Sequence, residues 1–294
     1  MKPIHSGLLV GARASEFTIS GKQNVMLLDL PGVRLRYDVS GKGPPLVLVH
    51  GSAVDRNTWA GVAPELSRAH SVITYDRRGY GESLHRPVRD HRLHADDLIA
   101  VLEKVAKKPS CVVGWSSGGN VALAVAVRRP ELFSSLIVVE APFHGQRHMD
   151  AAVLRTLLRL KFQQLRGRPV EALEEFLRFG SSLRSGGNIY DRLPAPARQE
   201  LLRYPSQVLA EWDPHPFGVM HEHVSTRSVA AITVPMIWVL GGESSPWLVR
   251  LHDYVKRRKP DMTTVVIPGA SHLVHIDNPT QFVETVNNSA RNAS

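Results

Sequence analysis

The chain has 294 residues and a formal net charge of +9, from 36 lysines and arginines against 27 aspartates and glutamates. This length can bury one large core plus an insertion, so we expect one or two folding units. The one cysteine, Cys111, excludes a fold that depends on intramolecular disulfides, and no stretch reaches the roughly 18 apolar residues of a membrane-spanning helix.

The positive charges are dispersed along the sequence. The densest groups are residues 256–259, where a helix is predicted to end, and the loop at 86–92. Cations at the carboxyl end of a helix complement its dipole, and no aromatic residues interleave with either group as a base-stacking surface would require. We therefore expect no nucleic-acid partner.

The amino-terminal residues resemble a secretory leader only weakly. Ala12-Arg13-Ala14 is similar to a cleavage site, but the apolar run before it is too short and is broken by His5. We therefore expect a cytoplasmic protein with no membrane partner.

Short apolar, β-branched runs alternate with helical patterns along most of the chain. Such alternation is typical of an α/β fold, a mostly parallel sheet with helices on both faces. The runs cover residues 33–39, 46–50, 71–75, 111–115, 135–140, 236–241 and 263–268. Those between 46 and 140 lack the polar alternation of half-exposed strands, which predicts burial on both sides of the sheet.

The strand pattern stops between residues 140 and 236. Residues 151–165 and 170–183 have the periodicity of amphipathic helices, and 193–209 indicates shorter helices separated by prolines. Because this segment is too long for a loop, we expect a helical cap over the edge of the sheet where open α/β sheets bind ligands. The predicted organisation is a first core part (1–142), a helical cap (143–231) and a second core part (232–294).

Residues 114–119 read Gly-Trp-Ser-Ser-Gly-Gly, between an apolar run and a helical stretch. This is the G-x-S-x-G pattern of a serine on a sharp strand-to-helix turn, where the residues two positions away must be small. Gly114 and Gly118 meet that demand around Ser116. Choosing Ser117 as the nucleophile would place Trp115 where a glycine is needed, so Ser116 is the predicted catalytic serine.

A serine needs a base to take its proton, and the candidate follows the last strand. The sequence there is Pro268-Gly-Ala-Ser-His272, with a terminal helix from about Pro279. This loop would place His272 at the same sheet edge as Ser116. His275, three residues later, is the alternative base.

Two glutamates compete for the role of the acid that orients the base. Glu140 ends the strand after the nucleophile helix, where a carboxylate is costly unless it is paired, and an imidazole N–H is the obvious partner. Glu243 follows the 236–241 run and is the alternative acid, with a solvated loop residue as its other interpretation. We favour Glu140.

Two backbone amides are predicted to stabilise the tetrahedral intermediate. One is the N–H of Ser117, after the nucleophile at the start of a helix. The other is the N–H of Ser52, in the sequence His50-Gly51-Ser52 after the 46–50 run. These two serines are the predicted oxyanion hole.

From about Val25 onwards, these segments together resemble the α/β-hydrolase superfamily. His50-Gly51, the D-x-x-G-x-G-x-S segment at 76–83, the serine motif and the Gly269–His272 loop occur in family order. The resemblance implies the eight-stranded sheet of that superfamily, with a mainly structural role for 76–83. Many members carry an aspartate near position 245, where this chain has serine, but some branches place the acid where Glu140 stands, 24 residues after the nucleophile.

The expected function is a serine hydrolase that cleaves a small-molecule carboxylic ester or lactone through an acyl-enzyme on Ser116. No metal or organic cofactor is implied. Alternatives on the same residues are C–C bond hydrolysis or perhydrolysis. A ligand receptor that does not turn over is the alternative from another class.

Overall fold

The computed structural model describes residues 25–143, 150–212 and 224–291, and every structural statement below refers to these residues. The leader-like sequence and parts of the predicted cap and core boundaries lie outside them. The division into 1–142, 143–231 and 232–294 stays a prediction.

Eight strands form one sheet, as the sequence and the resemblance predict. They are β1 (Met26–Leu30), β2 (Val33–Ser40), β3 (Pro45–Val49), β4 (Ser71–Tyr75), β5 (Ser110–Trp115), β6 (Phe133–Val139), β7 (Met236–Gly241) and β8 (Thr263–Ile267). Their spatial order is β1-β2-β4-β3-β5-β6-β7-β8. Only the β1–β2 and β2–β4 pairs are antiparallel, so β4, β3 and β5 to β8 end at one common edge.

Seven of these strands coincide with the predicted apolar runs to within two residues. β1 has no counterpart in the prediction. It pairs with β2 through a two-residue connection, Pro31-Gly32, with Leu30 opposite Val33, and this dipeptide is a turn signal that could have indicated a strand on either side of it. The central strands β3 to β6 are almost completely buried, as their lack of alternation predicts.

Eleven α-helices are described. They are α1 (Ala63–Leu66), α2 (His91–Val101), α3 (Ser117–Arg128), α4 (Ala151–Leu165), α5 (Pro169–Gly180), α6 (Ala195–Leu201), α7 (Pro205–Trp212), α8 (Thr226–Ala230), α9 (Pro246–Lys256), α10 (Val274–Asp277) and α11 (Pro279–Arg291). The predicted helices at 151–165, 170–183 and from Pro279 correspond to α4, α5 and α11, and the proline-separated helices to α6 and α7.

The sheet has an apolar core on each face. One core contains side chains of α2, α3, α8 and α9, and the other contains side chains of α1, α10 and α11. Helices α4 to α7 are inserted between β6 and β7, and their apolar residues form three smaller clusters, two of which include core residues such as Ala53 and Trp247. The loops that follow the parallel strands therefore meet the inserted helices at the carboxyl edge of the sheet.

Candidate active site

Ser116 lies at the sharp turn from β5 into α3. Its backbone has φ 54° and ψ −127°, a strained combination for a residue with a side chain. A Cβ added at Gly118 would lie 2.4 Å from the carbonyl oxygen of Val49, and one at Gly114 would lie 2.6 Å from the carbonyl oxygen of Gly118. Only glycine fits at both positions, as the motif predicts.

Glu140 follows β6 at the same edge and is fully buried. Its backbone also has a positive φ, 48°. Oε1 accepts the backbone N–H of Gly241 at 2.7 Å, and Oε2 lies 2.7 Å from Nδ1 of His272. Both oxygens of this buried carboxylate therefore have hydrogen-bond partners, which offsets the cost of its burial.

His272 lies in the loop after β8, with 12% of its side chain exposed. Its carbonyl oxygen accepts the indole N–H of Trp115 at 2.8 Å, which ties the loop to the end of β5. Because Nδ1 donates to the carboxylate of Glu140, Nε2 is the ring nitrogen that can act as a base. His272 and Ser116 line the same pocket.

The alternative base, His275, is held in a different environment. It is buried among the rings of Trp59, Trp115 and Phe282, and its Nε2 lies 3.0 Å from Oγ1 of Thr58. Burial, together with the neighbouring His272, lowers its pKa to about 3. The structure does not place His275 in the pocket lining.

The alternative acid, Glu243, is exposed. Its backbone N–H donates to the carbonyl of Ala270, and its carbonyl accepts the N–H of Arg184. The carboxylate that reaches the His272 ring is that of Glu140.

The two predicted oxyanion residues lie against each other. The hydroxyl of Ser52 is 2.9 Å from that of Ser117, although 65 residues separate them. Ser117 is the first residue of α3, where backbone N–H groups have no acceptor within the helix. Ser52, Ser116 and His272 line the same pocket, with Ser52 and Ser116 on loops after neighbouring strands.

A mostly buried ionic cluster, formed by Arg77, Glu211, His94, Ser52 and Ser117, includes both predicted oxyanion residues. Arg77 donates to the hydroxyl of Ser117 at 3.0 Å and to Oε1 of Glu211 at 3.3 Å. The other oxygen of Glu211 accepts the hydroxyl of Ser52 at 2.8 Å. Glu211 belongs to α7, so a helix of the insertion contacts both predicted oxyanion residues through this cluster.

The charges of the cluster are an arginine cation and a glutamate anion. Burial by itself would raise the pKa of Glu211, but the guanidinium of Arg77 and the contact with His94 outweigh it and hold the pKa well below its usual value. Burial and Arg77 lower the pKa of His94 to about 4, although its Nε2 lies 3.0 Å from Glu211. His94 is therefore neutral near pH 7.

Sequence reasoning missed both charged members of this cluster. Arg77 lies in the 76–83 segment, to which only a structural role was assigned, although it is two residues after the carboxyl end of β4. Glu211 is the one acidic residue in the apolar sequence of α7, PSQVLAEW. A single carboxylate on such an apolar helix indicates a buried ion pair. The sequence does not show which cation is the partner of that carboxylate.

The pocket encloses about 720 Å³ of space, including its opening to solvent. Apart from Ser52, Ser116 and His272, its walls are mainly aromatic and aliphatic. They include Val54, Trp115, Pro142, Phe176, Leu177, Phe179, Ile189, Tyr190, Leu193, Leu201, Trp212, Trp247, Leu248 and Leu273. No Asp, Glu, Lys or Arg among the described residues lines it, so the pocket suits an uncharged, apolar group.

Among the described residues, no group of three or more His, Cys, Asp or Glu side chains lies close enough to hold a metal ion. Within the same residues, no helix is both long and apolar enough to cross a bilayer.

The sequence of the chain is similar to that of a known protein family. The model of the alpha/beta hydrolase family matches residues 46–285. The chain belongs to the alpha/beta hydrolase family. The matched residues include Ser52, Ser116, Glu140 and His272.

This alpha/beta hydrolase is similar in sequence to several named proteins. It is 29% identical to pimeloyl-[acyl-carrier protein] methyl ester esterase of Pseudoalteromonas atlantica, over 85% of this chain and 96% of that protein. It is 25% identical to the mouse sn-1-specific diacylglycerol lipase ABHD11, over 91% and 87% of the two chains. An uncharacterized hydrolase of Bacillus subtilis, YraK, is 39% identical over 107 residues, covering 35% of this chain and 40% of YraK.

Solved structures share the fold. An N-acyl homoserine lactone degrading enzyme superposes with a TM-score of 0.74 at 20% identity, covering 90% of this chain and 99% of the other. A thermophilic esterase from Thermogutta terrifontis gives 0.69 at 24% identity, with coverages of 92% and 97%. At these identities the likeness establishes the fold, and relatives described as esterases and lipases support an enzyme of the alpha/beta hydrolase type.

Proposed function

We propose that this alpha/beta hydrolase is a serine hydrolase that cleaves a carboxylic ester or lactone through an acyl-enzyme on Ser116. The observation that carries the proposal is the 2.7 Å contact between Nδ1 of His272 and the buried carboxylate of Glu140, in a pocket that also contains Ser116. A serine, an imidazole and a buried carboxylate at one site are the groups that acyl transfer requires.

In the proposed first half-reaction, Nε2 of His272 takes the hydroxyl proton of Ser116 as the serine oxygen attacks the carbonyl carbon. The carbonyl oxygen becomes an anion, which the backbone N–H groups of Ser52 and Ser117 stabilise. Glu140 keeps the imidazole oriented and stabilises its charged form. The intermediate then collapses, the bond to the alcohol oxygen breaks, and His272 returns the proton to that oxygen.

In the second half-reaction, water replaces the alcohol. His272 removes a proton from the water as its oxygen attacks the acyl carbon, and the same two amides stabilise the second intermediate. The bond to Ser116 breaks, the serine recovers its proton from His272, and the carboxylic acid leaves. With a lactone, acid and alcohol remain in one molecule.

The pocket supports an uncharged, apolar substrate. Its walls contain many aromatic and aliphatic side chains and no Asp, Glu, Lys or Arg among the described residues, so a charged substrate group would lose its hydration without gaining a partner. The relatives described as a methyl ester esterase and a diacylglycerol lipase support an ester as the bond cleaved.

The test is turnover of a panel of p-nitrophenyl esters and lactones of graded chain length by the wild-type protein and the Ser116→Ala variant. We expect sustained turnover by the wild type and a fall in kcat of at least about 10⁴-fold in the variant, the scale on which losing a nucleophile acts. An organophosphonate label should appear on the peptide at Ser116, and Ser117→Ala should still be labelled.

Two results would contradict the proposal. Stoichiometric release of one p-nitrophenol per chain, without further turnover, would favour the receptor interpretation. Retention of more than about a tenth of the wild-type kcat in purified Ser116→Ala would show that another residue is the nucleophile.

A further inference from the structure

Half of the exposed large apolar side chains of the described residues are concentrated at one place, in or just after α4. They are Leu154, Leu158, Phe162, Leu165 and Val170, which are 49%, 63%, 54%, 79% and 41% exposed. The first four recur at intervals of three or four residues, so they lie on one face of the helix. We call these four side chains the α4 stripe.

All the charged residues of the segment that carries the α4 stripe are cations. Residues 151–170 contain Arg155, Arg159, Lys161, Arg166 and Arg168 and no aspartate or glutamate. The guanidinium of Arg166 lies 5.3 Å from the ring centre of Phe162. Arg159 is 4.0 Å from Glu175 of α5, with 63% of its side chain still exposed. The surface is therefore both apolar and positively charged.

The opposite face of α4 packs towards the pocket. Val153 is buried, and it forms an apolar cluster with Leu157, Trp247 and Leu248. The last two side chains line the pocket. The α4 stripe therefore lies on the outer side of a helix whose inner side supports the pocket wall.

We propose that the α4 stripe docks on an anionic lipid surface. An amphipathic helix with leucine and phenylalanine on one face and lysine and arginine at its sides is the arrangement that lies in the plane of a membrane interface. Its cations complement anionic headgroups, and the apolar side chains enter the headgroup boundary. Such a helix needs no spanning length, so the proposal revises the expectation of no membrane partner.

The charge distribution favours a lipid surface over other occupants. A symmetric contact between two copies of this chain would bring two anion-free, cationic helices together, which repel each other. An acidic protein would match the cations but would not need four exposed apolar side chains in a row. Docking would also bring the pocket close to substrates that partition into membranes. This consequence rests on the proposed hydrolysis of apolar esters.

The test is cosedimentation with vesicles of phosphatidylcholine alone and of phosphatidylcholine mixed with phosphatidylglycerol. We expect the wild type to bind the mixed vesicles and to be released by salt. The double variant Leu158→Ser/Phe162→Ser should bind at least about tenfold more weakly, because two apolar side chains no longer enter the interface while the charge is unchanged. Arg155→Ala and Arg159→Ala should each weaken binding about fivefold.

Leu84→Ser is the matched control, since Leu84 is 82% exposed and lies outside α4; it should bind like the wild type. All variants should hydrolyse a short p-nitrophenyl ester at the wild-type rate without vesicles. Binding can also be measured with Ser116→Ala, so its outcome is independent of the proposed catalysis.

Three results would overturn the proposal. If the wild-type protein does not cosediment with the mixed vesicles, the α4 stripe is not a lipid-docking surface. Binding that Leu158→Ser/Phe162→Ser leaves unchanged depends on charge alone, as contact with an acidic protein would. A wild-type dimer that this double variant converts to a monomer, with no vesicle binding, would make the stripe an interface between copies.

Discussion

The carboxyl edge of the sheet and the inserted helices α4 to α7 are built from different kinds of side chain. At the edge, Glu140 and His272 are joined by a 2.7 Å contact and the Ser116 turn is fixed by glycines on either side. The inserted helices contribute mostly apolar pocket walls and one buried carboxylate, Glu211. The sheet edge therefore supplies the reacting groups of the proposed chemistry, whereas the insertion determines which substrates fit beside them.

Substitution of the two neighbouring histidines should show how local the chemistry of the edge is. We expect His272→Gln to lose at least about 10⁴-fold in kcat, because the base is gone. His275→Gln should stay within about threefold of wild type in the folded protein, since His275 lies outside the pocket lining. Steady-state kinetics on a p-nitrophenyl ester, with thermal melting as the folding control, measures both, and the reverse pattern would make His275 the base.

Glu211 is the point at which the insertion contacts the chemistry of the edge. We expect Glu211→Gln to lower kcat about tenfold to a hundredfold with little change in KM, because glutamine has one acceptor oxygen and no charge. The hydroxyl of Ser52 and the guanidinium of Arg77 then cannot both keep their acceptor, and the oxyanion amides shift. Tyr204→Phe is the control. It removes another contact from the insertion to the core, the 3.0 Å bond to Asp55, and should leave kcat within about threefold.

A merely structural role for Glu211 would give a different pattern. Leaving Arg77 buried without its partner costs on the order of 3–5 kcal/mol, so Glu211→Gln is also less stable. The double variant Arg77→Met/Glu211→Leu removes both charges and should recover much of that stability while kcat stays low. Recovery of kcat together with stability would mean that the cluster only holds the fold.

Buried histidines should make the core sensitive to acid. The pKa of His94 is lowered to about 4 and that of His275 to about 3, in each case mainly by burial. A lowered pKa in the folded state means that stability is fully present above about pH 6.5, the unfolded value, and is lost as the pH falls towards the folded value.

Between pH 7 and pH 5 each of these two histidines should therefore cost about 2 kcal/mol of unfolding free energy. Urea unfolding at the two pH values measures the loss, and His275→Phe, which has no ring nitrogen to protonate, should lose about 2 kcal/mol less than wild type. Equal losses in the two proteins would show that His275 does not carry this pH dependence.

The smallest effects should come from the pocket walls of the insertion. Phe179 lines the pocket and lies 5.0 Å from Trp247 between ring centres. Phe179→Ala should raise KM for a hexanoyl ester about tenfold and change kcat less than about threefold. Phe162→Ala, outside the pocket, should change neither. A large fall in kcat for Phe179→Ala would break the division between chemistry and fit.

The sequence predicted the sheet edge better than the insertion, for a physical reason. Ser116 and His272 follow local rules of turn and strand, and the burial expected of Glu140 follows from the apolar run before it. The contact between Arg77 and Glu211 joins residues 134 positions apart, and nothing in the sequence near either one specifies the other. The exposed face of α4 is equally hidden in the sequence, because periodicity alone does not show which apolar side chains are covered.

In the proposed mechanism, Glu140 and not Glu243 orients the base, His272. The most direct test is the kcat of Glu140→Gln and Glu243→Gln measured side by side, after circular dichroism and thermal melting show that both are folded. Glu140→Gln keeps the size of the side chain but removes its charge, so kcat should fall by on the order of 10³- to 10⁴-fold. Glu243→Gln, at an exposed position, should change kcat less than about threefold. An active Glu140→Gln beside an inactive Glu243→Gln would contradict the account.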